Sequence, residues 1–155
     1  IRGQKIISIW VPFDNVTKET GAVEYIKGSH KWNKMFAPTS FGKETKFSDL
    51  YDKMGLENIP DIDSNKDNYD IISWDVKPGD IILHHPLTLH SSSGNLSSAK
   101  RRRGLALRYV GEDVVWDARK GTFMENEKIQ KLLPPINLND GDVLTSELFP
   151  VIWQH

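Results

Sequence analysis

The chain has 155 residues, 38% of them hydrophobic, which is enough for one hydrophobic core and too little for two ordinary domains. Twenty basic against twenty-one acidic residues leave a net charge of -1, so no overall field recommends nucleic acid or an anionic membrane as a partner. With no cysteine there are no disulfides, thiolate metal sites or Cys nucleophiles, and a metal would have to be held by His and carboxylate. No apolar run approaches the length of a membrane span and no signal pattern opens the chain, so composition gives the expectation of a cytoplasmic protein.

The chain opens on Ile1-Arg2-Gly3-Gln4, without Met, and runs directly into an apolar stretch, so it is expected to begin inside a larger protein. Ile6 to Phe13 is rich in β-branched and aromatic residues and reads as a buried strand ending at Pro12, with Ser8 and Trp10 on one face. Asp14 to Gly21 is a polar connection of a length common in antiparallel sheets. Ala22 to Ile26 is a second short strand stopped by Lys27-Gly28-Ser29-His30, where His30 closes a turn.

Residues 31–70 are polar and interrupted by Pro38, Gly42, Gly55 and Pro60. The spacing of Phe47, Leu50, Tyr51 and Met54 predicts one helix there, capped by Ser48 and stopped by Gly55. A long irregular segment inside a compact domain is expected to be a lid or binding insert. Tyr69 to Val76 reads as a strand, Pro78-Gly79-Asp80 as a turn capped by Asp80, Ile81 to His90 as a strand, and Arg102 to Val110 as another after a Ser-rich turn. Asp113 to Ala118 is a candidate edge. The tail, residues 120–155, is expected to wrap the outside of the sheet. Strands separated by turns with almost no helix predict an all-β sandwich or barrel in a single domain.

His90 ends a predicted strand just before a Ser/Gly turn, where a metal or substrate would reach it, although a lone strand-end histidine is more often structural. His84 and His85 point to opposite faces, so at most one faces the presumed pocket, and a place supporting the site from behind or core packing is the better reading of both. An Arg triplet is ordinarily a solvated cluster. Here, though, alternation places Arg102, Gly104, Ala106 and Arg108 on one face, and two arginines flanking two very small residues suit a carboxylate partner. Trp10 is by default a core residue, or else the wall of a ligand site.

Four stretches in order, IWVPFDNVTKETGAVEYIKGSHKW, WDVKPGDIILHHPLTLH, RRGLALRYVGEDVVW after Asn95, and GDVLTSELFPVIW, resemble the phytanoyl-CoA dioxygenase family of Fe(II) and 2-oxoglutarate-dependent oxygenases. The resemblance implies a double-stranded β-helix, a jelly-roll of two sheets. It also implies iron held by His-X-Asp and a distal His, with 2-oxoglutarate as cosubstrate and a small or lipid-like organic substrate to be hydroxylated. His90 matches the distal His, and so carries the catalytic metal role. Arg102 matches the arginine that clamps the far carboxylate of 2-oxoglutarate, and counting forward from His90 would pick Arg101 instead. Ser92 matches a serine that shares that carboxylate, and Trp10 a tryptophan lining the cosubstrate site.

No His-X-Asp or His-X-Glu occurs in the 155 residues. Two of the family's three protein ligands are thus absent, and the expectation is a truncated chain that binds iron poorly by itself. The rival readings are a metal-free jelly-roll binding module and an inactive fragment that forms a homodimer across an exposed sheet edge.

Overall fold

The computed structural model describes residues 1–37, 55–119 and 130–154. Among these residues lie six strands: β1 Ile6–Pro12, β2 Glu24–Ile26, β3 Ile71–Ser73, β4 Ile82–His84, β5 His90–Ser91 and β6 Gly104–Val110. They form two antiparallel three-stranded sheets, ordered β4-β1-β6 and β3-β2-β5. Among the described residues the helical elements are two short 3-10 turns, Ser29–Trp32 and Asp63–Asn68. The architecture is the all-β jelly-roll expected.

β1 is the organising strand. Its branched and aromatic residues suit a pleated, half-buried surface, and it pairs along its whole length with β6, from Ile6 opposite Val110 to Pro12 opposite Gly104. The far end is locked by a forked ion pair: the Arg103 guanidinium donates to both carboxylate oxygens of Asp14 at 2.8 and 3.0 Å, and Phe13 N–H donates to the Arg103 carbonyl. This partner holds the Asp14 carboxyl down at about 2, against an ordinary 3.8. A depressed carboxyl pKa gives stability that is complete above the unfolded value and fades as pH falls through the folded one. The stability gap between the wild type and Asp14→Asn is therefore expected to be constant from neutral pH down to about 4 and to close between pH 3.8 and about 2, as measured by urea unfolding.

Three expectations change. Ile81 to His90 is not one strand: it splits into β4 and β5, which belong to different sheets. Pro86 has no N–H to give a ladder, and Thr88 N–H closes a turn on the His85 carbonyl at 2.9 Å. Leu89 N–H is then captured by the Ser29 hydroxyl at 2.8 Å, which fixes the chain in the second sheet. β1 and β2 do not pair either. The segment joining them crosses between sheets through Gly21, whose φ of 88° and a Cβ position 2.6 Å from the Gly94 carbonyl oxygen leave room for no side chain. Residues 113–118 form no strand; Val115 makes only isolated bridges, to Arg2 and Val143.

The segments assigned to lid and tail are described in part. Residues 31–37 and 55–70 are joined by a Phe36–Glu57 bridge and a Lys34–Glu57 ion pair of 2.8 Å. The helix expected over residues 47–54 lies outside the described residues. In the tail, Trp116 meets Phe149 with ring centroids 5.9 Å apart, and Asp140 takes a forked hydrogen bond from Arg2. Asp80 caps its turn as expected, accepting from Lys77 N–H at 2.9 Å.

The two faces of the β4-β1-β6 sheet differ in an unusual sense. Toward the second sheet it presents Ser8, Trp10, His84, Gly104, Ala106 and Arg108. The apolar set of Ile7, Leu83, Leu105 and Tyr109 lies on the other face, each residue more than a third exposed. The polar face is the one that builds the site.

Candidate functional site

The register across β1 sets the site. Ser8 stands opposite His84 on one side and Arg108 on the other, and Trp10 stands opposite Ile82 and Ala106. From the facing sheet, Tyr25 of β2 pairs with His90 of β5. Three rings meet in the space between. His84 and His90 have centroids 4.9 Å apart, with Tyr25 at 5.2 Å from the first and stacked at 5.7 Å on the second.

Both imidazoles are fixed by backbone carbonyls. The His90 Nδ1 lies 2.8 Å from the Thr88 carbonyl oxygen, and the His84 Nδ1 lies 3.0 Å from that of His85. Burial, ahead of the neighbouring cationic groups, holds the His84 imidazole below the ordinary histidine value. Tyr25 is buried, and burial raises its phenol while the nearby Arg102 pulls it back. A neutral phenol with its proton in place follows. His85, on the opposite face, packs its ring 5.5 Å from that of His30.

The three arginines diverge. Arg103 is spent on Asp14. Arg101 lines a separate shallow concavity with Asp14, Thr17 and Lys100. Arg102 turns inward and lies over the Trp10 indole, its guanidinium carbon 5.0 Å from the ring centroid, an arrangement worth roughly 0.5 to 2 kcal/mol according to how dry it is. Its Nε is buried and has no hydrogen-bond partner. A buried charged donor left unpaired costs on the order of 1–3 kcal/mol or more.

The small residues on β6 have a particular use. A Cβ on Gly104 would lie 2.5 Å from the Trp10 ring, so the space beside Arg102 is where the indole swings to reach the guanidinium. Ser92 sits in the turn that follows β5. Its hydroxyl donates to the Gly21 carbonyl at 2.9 Å and accepts from Gly94 N–H at 3.3 Å. The structure thus brings Arg102 onto Trp10 and His90 onto Tyr25 and His84, with Arg102 within electrostatic reach of Tyr25; Ser92 is tied into the turn after β5, and Arg101 lines a separate concavity. Sequence reading missed Tyr25 and gave His84 a supporting or packing role. The alternation of Leu83 outward and His84 inward was a usable signal for the second, but the pairing of Tyr25 with His90 is long-range and has none.

Two antiparallel three-stranded sheets, with an arginine lying on a tryptophan and a histidine at a strand end, make an all-β jelly-roll of the double-stranded β-helix kind. A family model described as phytanoyl-CoA dioxygenase (PhyH) matches residues 2–104, well over half of the chain, and the chain belongs to that family. It is 24% identical over 121 residues to the peroxisomal phytanoyl-CoA dioxygenases of Homo sapiens and of Rattus norvegicus, covering 78% of this chain and 33% of each of theirs. Among solved structures, the fold is similar to the non-heme alpha ketoglutarate dependent carbocyclase SnoK from nogalamycin biosynthesis (TM-score 0.56, 23% identity, 94% of this chain and 47% of that one). It is also similar to the epimerase SnoN from the same biosynthesis (TM-score 0.62, 19% identity, 97% and 51%), a protein also solved with Fe3+, alpha ketoglutarate and nogalamycin RO. The chain spans about a third of the length of these curated relatives and about half that of these solved structures.

Proposed function

We propose that this chain is the cosubstrate-holding part of an Fe(II)- and 2-oxoglutarate-dependent oxygenase acting on a small or lipid-like organic substrate, which it hydroxylates, in the cytoplasm. The observation that carries the reading is the buried, unpartnered Nε of Arg102 over Trp10. The guanidinium is a planar fork that suits a carboxylate, and the indole beneath it keeps the fork from turning and excludes water from one side. Tyr25, holding its phenolic proton, lies close enough to Arg102 for the cation to affect its titration. Residues 31–70 would form the substrate side as a lid, and residues 120–155 a wrapping tail.

The cosubstrate's far carboxylate fits this donor set. Iron fits it in part: His90 offers an imidazole, but among the described residues no group of three or more His, Cys, Asp or Glu is gathered. When bound, the iron and 2-oxoglutarate together supply the oxidising chemistry. The residues of this chain supply position, charge balance and dryness for the anionic end. The incomplete donor set favours a second reading, a jelly-roll module that binds an anion without turnover.

Calorimetric titration with 2-oxoglutarate, and with pyruvate as an analogue lacking the far carboxylate, tests the proposal. The dicarboxylate should bind at least about tenfold more tightly, since a charge-assisted hydrogen bond is worth roughly 1.5–3 kcal/mol. Equal affinity for the two acids, or no binding of either, would overturn it. Retained binding with no succinate formed when Fe(II) and oxygen are supplied would favour the non-turnover module.

A further inference from the structure

We infer that His84 and His90 together form a two-imidazole chelate for a divalent transition ion, with His84 as a second metal-binding residue that the proposed function does not include. The inference deepens that reading and rests on it only through His90.

Geometry carries it first. A zinc-type ion sits about 2.0–2.1 Å from an imidazole nitrogen, hence about 3.2 Å from the ring centroid. Two rings on one ion then have centroids roughly 4.5 Å apart at a right angle between the bonds and about 5.2 Å apart at the tetrahedral angle. The observed separation is 4.9 Å. Residues six apart on one chain achieve this because the turn at Pro86 sends them to facing sheets.

Tautomers carry it independently. A backbone carbonyl can only accept, so the Nδ1 of His84 beside the His85 carbonyl and the Nδ1 of His90 beside the Thr88 carbonyl each bear the ring proton. In the neutral ring, that tautomer leaves the lone pair on Nε2. Metal-ligating histidines commonly donate their other N–H to just such a carbonyl, which fixes the ring and makes the ligating nitrogen more basic. The other histidine pair in the structure shows the contrast. His30 and His85 lie at a comparable 5.5 Å, but His85 Nδ1 accepts from Leu87 N–H, so its proton is on Nε2 and it offers no lone pair there. Proximity alone does not make a chelate, and only the first pair has the right protons.

Imidazole ligands suit zinc, copper, iron and nickel. Since the described residues gather no third His, Cys, Asp or Glu at the pair, the remaining positions fall to water or to an incoming ligand.

The probe is Zn2+ alone, titrated calorimetrically into the chain and its variants. One ion per chain is expected, with affinity falling at least about tenfold in both His84→Phe and His90→Ala, the loss that removing even an outer partner of a ligand commonly brings. His30→Ala should bind as the wild type. In the unsubstituted protein, which sidesteps any folding defect, the ring Nε2 resonances of His84 and His90 should move together at one equivalent of Zn2+ while His85 keeps its Nε2 proton. Unaltered affinity in His84→Phe, a shift at His90 alone, or no zinc binding would overturn the pair. Failure of the proposed function reads differently: 2-oxoglutarate binding would be lost or indifferent to its far carboxylate while the zinc result stood.

Discussion

Replacing Arg102 with alanine is expected to weaken 2-oxoglutarate binding by about 10- to 100-fold, while Arg101→Ala leaves it within about twofold. The magnitude follows from hydrogen bonds to charged groups, roughly 1.5–3 kcal/mol each, with about 1.4 kcal/mol to a factor of ten. The direction follows from divergence of the three side chains: Arg103 is committed to Asp14, Arg101 lines an outer concavity, and only Arg102 has a buried donor without an acceptor. Arg102→Lys should rescue little, because an ammonium has neither the fork nor the flat face that lies on the Trp10 ring. A second readout separates binding from folding. Arg102→Met removes an unpaired buried donor and keeps an apolar stem over the indole, so its melting temperature should equal or exceed that of the wild type even as affinity falls. Wild-type affinity in Arg102→Ala, with the loss appearing in Arg101→Ala, would transfer the clamp to Arg101.

How much of this was legible in the sequence differs from element to element, for physical reasons. β1 was clear because it is a run of β-branched and aromatic residues and β6 because small and large residues alternate along it, and the two zip together over seven residue pairs. Alternation also placed Arg102, Gly104 and Ala106 on one face, which is the face that meets Trp10. The stretch from Ile81 to His90 misled because its composition is that of a strand throughout. What breaks it is one proline and a hydroxyl from Ser29, sixty-one residues upstream of His90 and invisible to any local window. That break is also what brings His84 to His90. A reading by strand alternation could place His84 inward but had no means of bending the chain to carry His90 across to the other sheet. Tyr25 was hidden for the same reason, since its place opposite His90 is a matter of pairing between distant segments. The family resemblance supplied the fold, and the expectation of a cosubstrate, that residue patterns alone left open; the hydrogen bonds of Ser92 were not legible either way. The Ser92 hydroxyl donates to the Gly21 carbonyl, a partner seventy-one residues away in the chain.

Gly104→Ala is expected to destabilise the fold by about 1–3 kcal/mol, the usual cost of forcing extra volume into a packed position, and to weaken 2-oxoglutarate binding with it. The added methyl carbon would stand 2.5–2.7 Å from three atoms of the Trp10 indole, closer than side chains approach, so the ring must move. Two routes are open to it. If the indole swings aside it leaves Arg102, and the clamp loses the surface that holds it. If it stays, β6 is pushed from β1 where Pro12 faces Gly104, next to the Arg103–Asp14 pair. A double-mutant cycle distinguishes this clash from a general loss of strand quality. Trp10→Ala should cost clearly less in the Gly104→Ala background than in the wild type, because the first substitution has already cost the indole its place; a coupling of about 0.5–3 kcal/mol is the range for residues in direct contact. Chemical denaturation of the four proteins gives that number. Strict additivity would mean that the glycine serves the strand rather than the tryptophan, and the packing of Trp10 against β6 would then lose its part in holding Arg102.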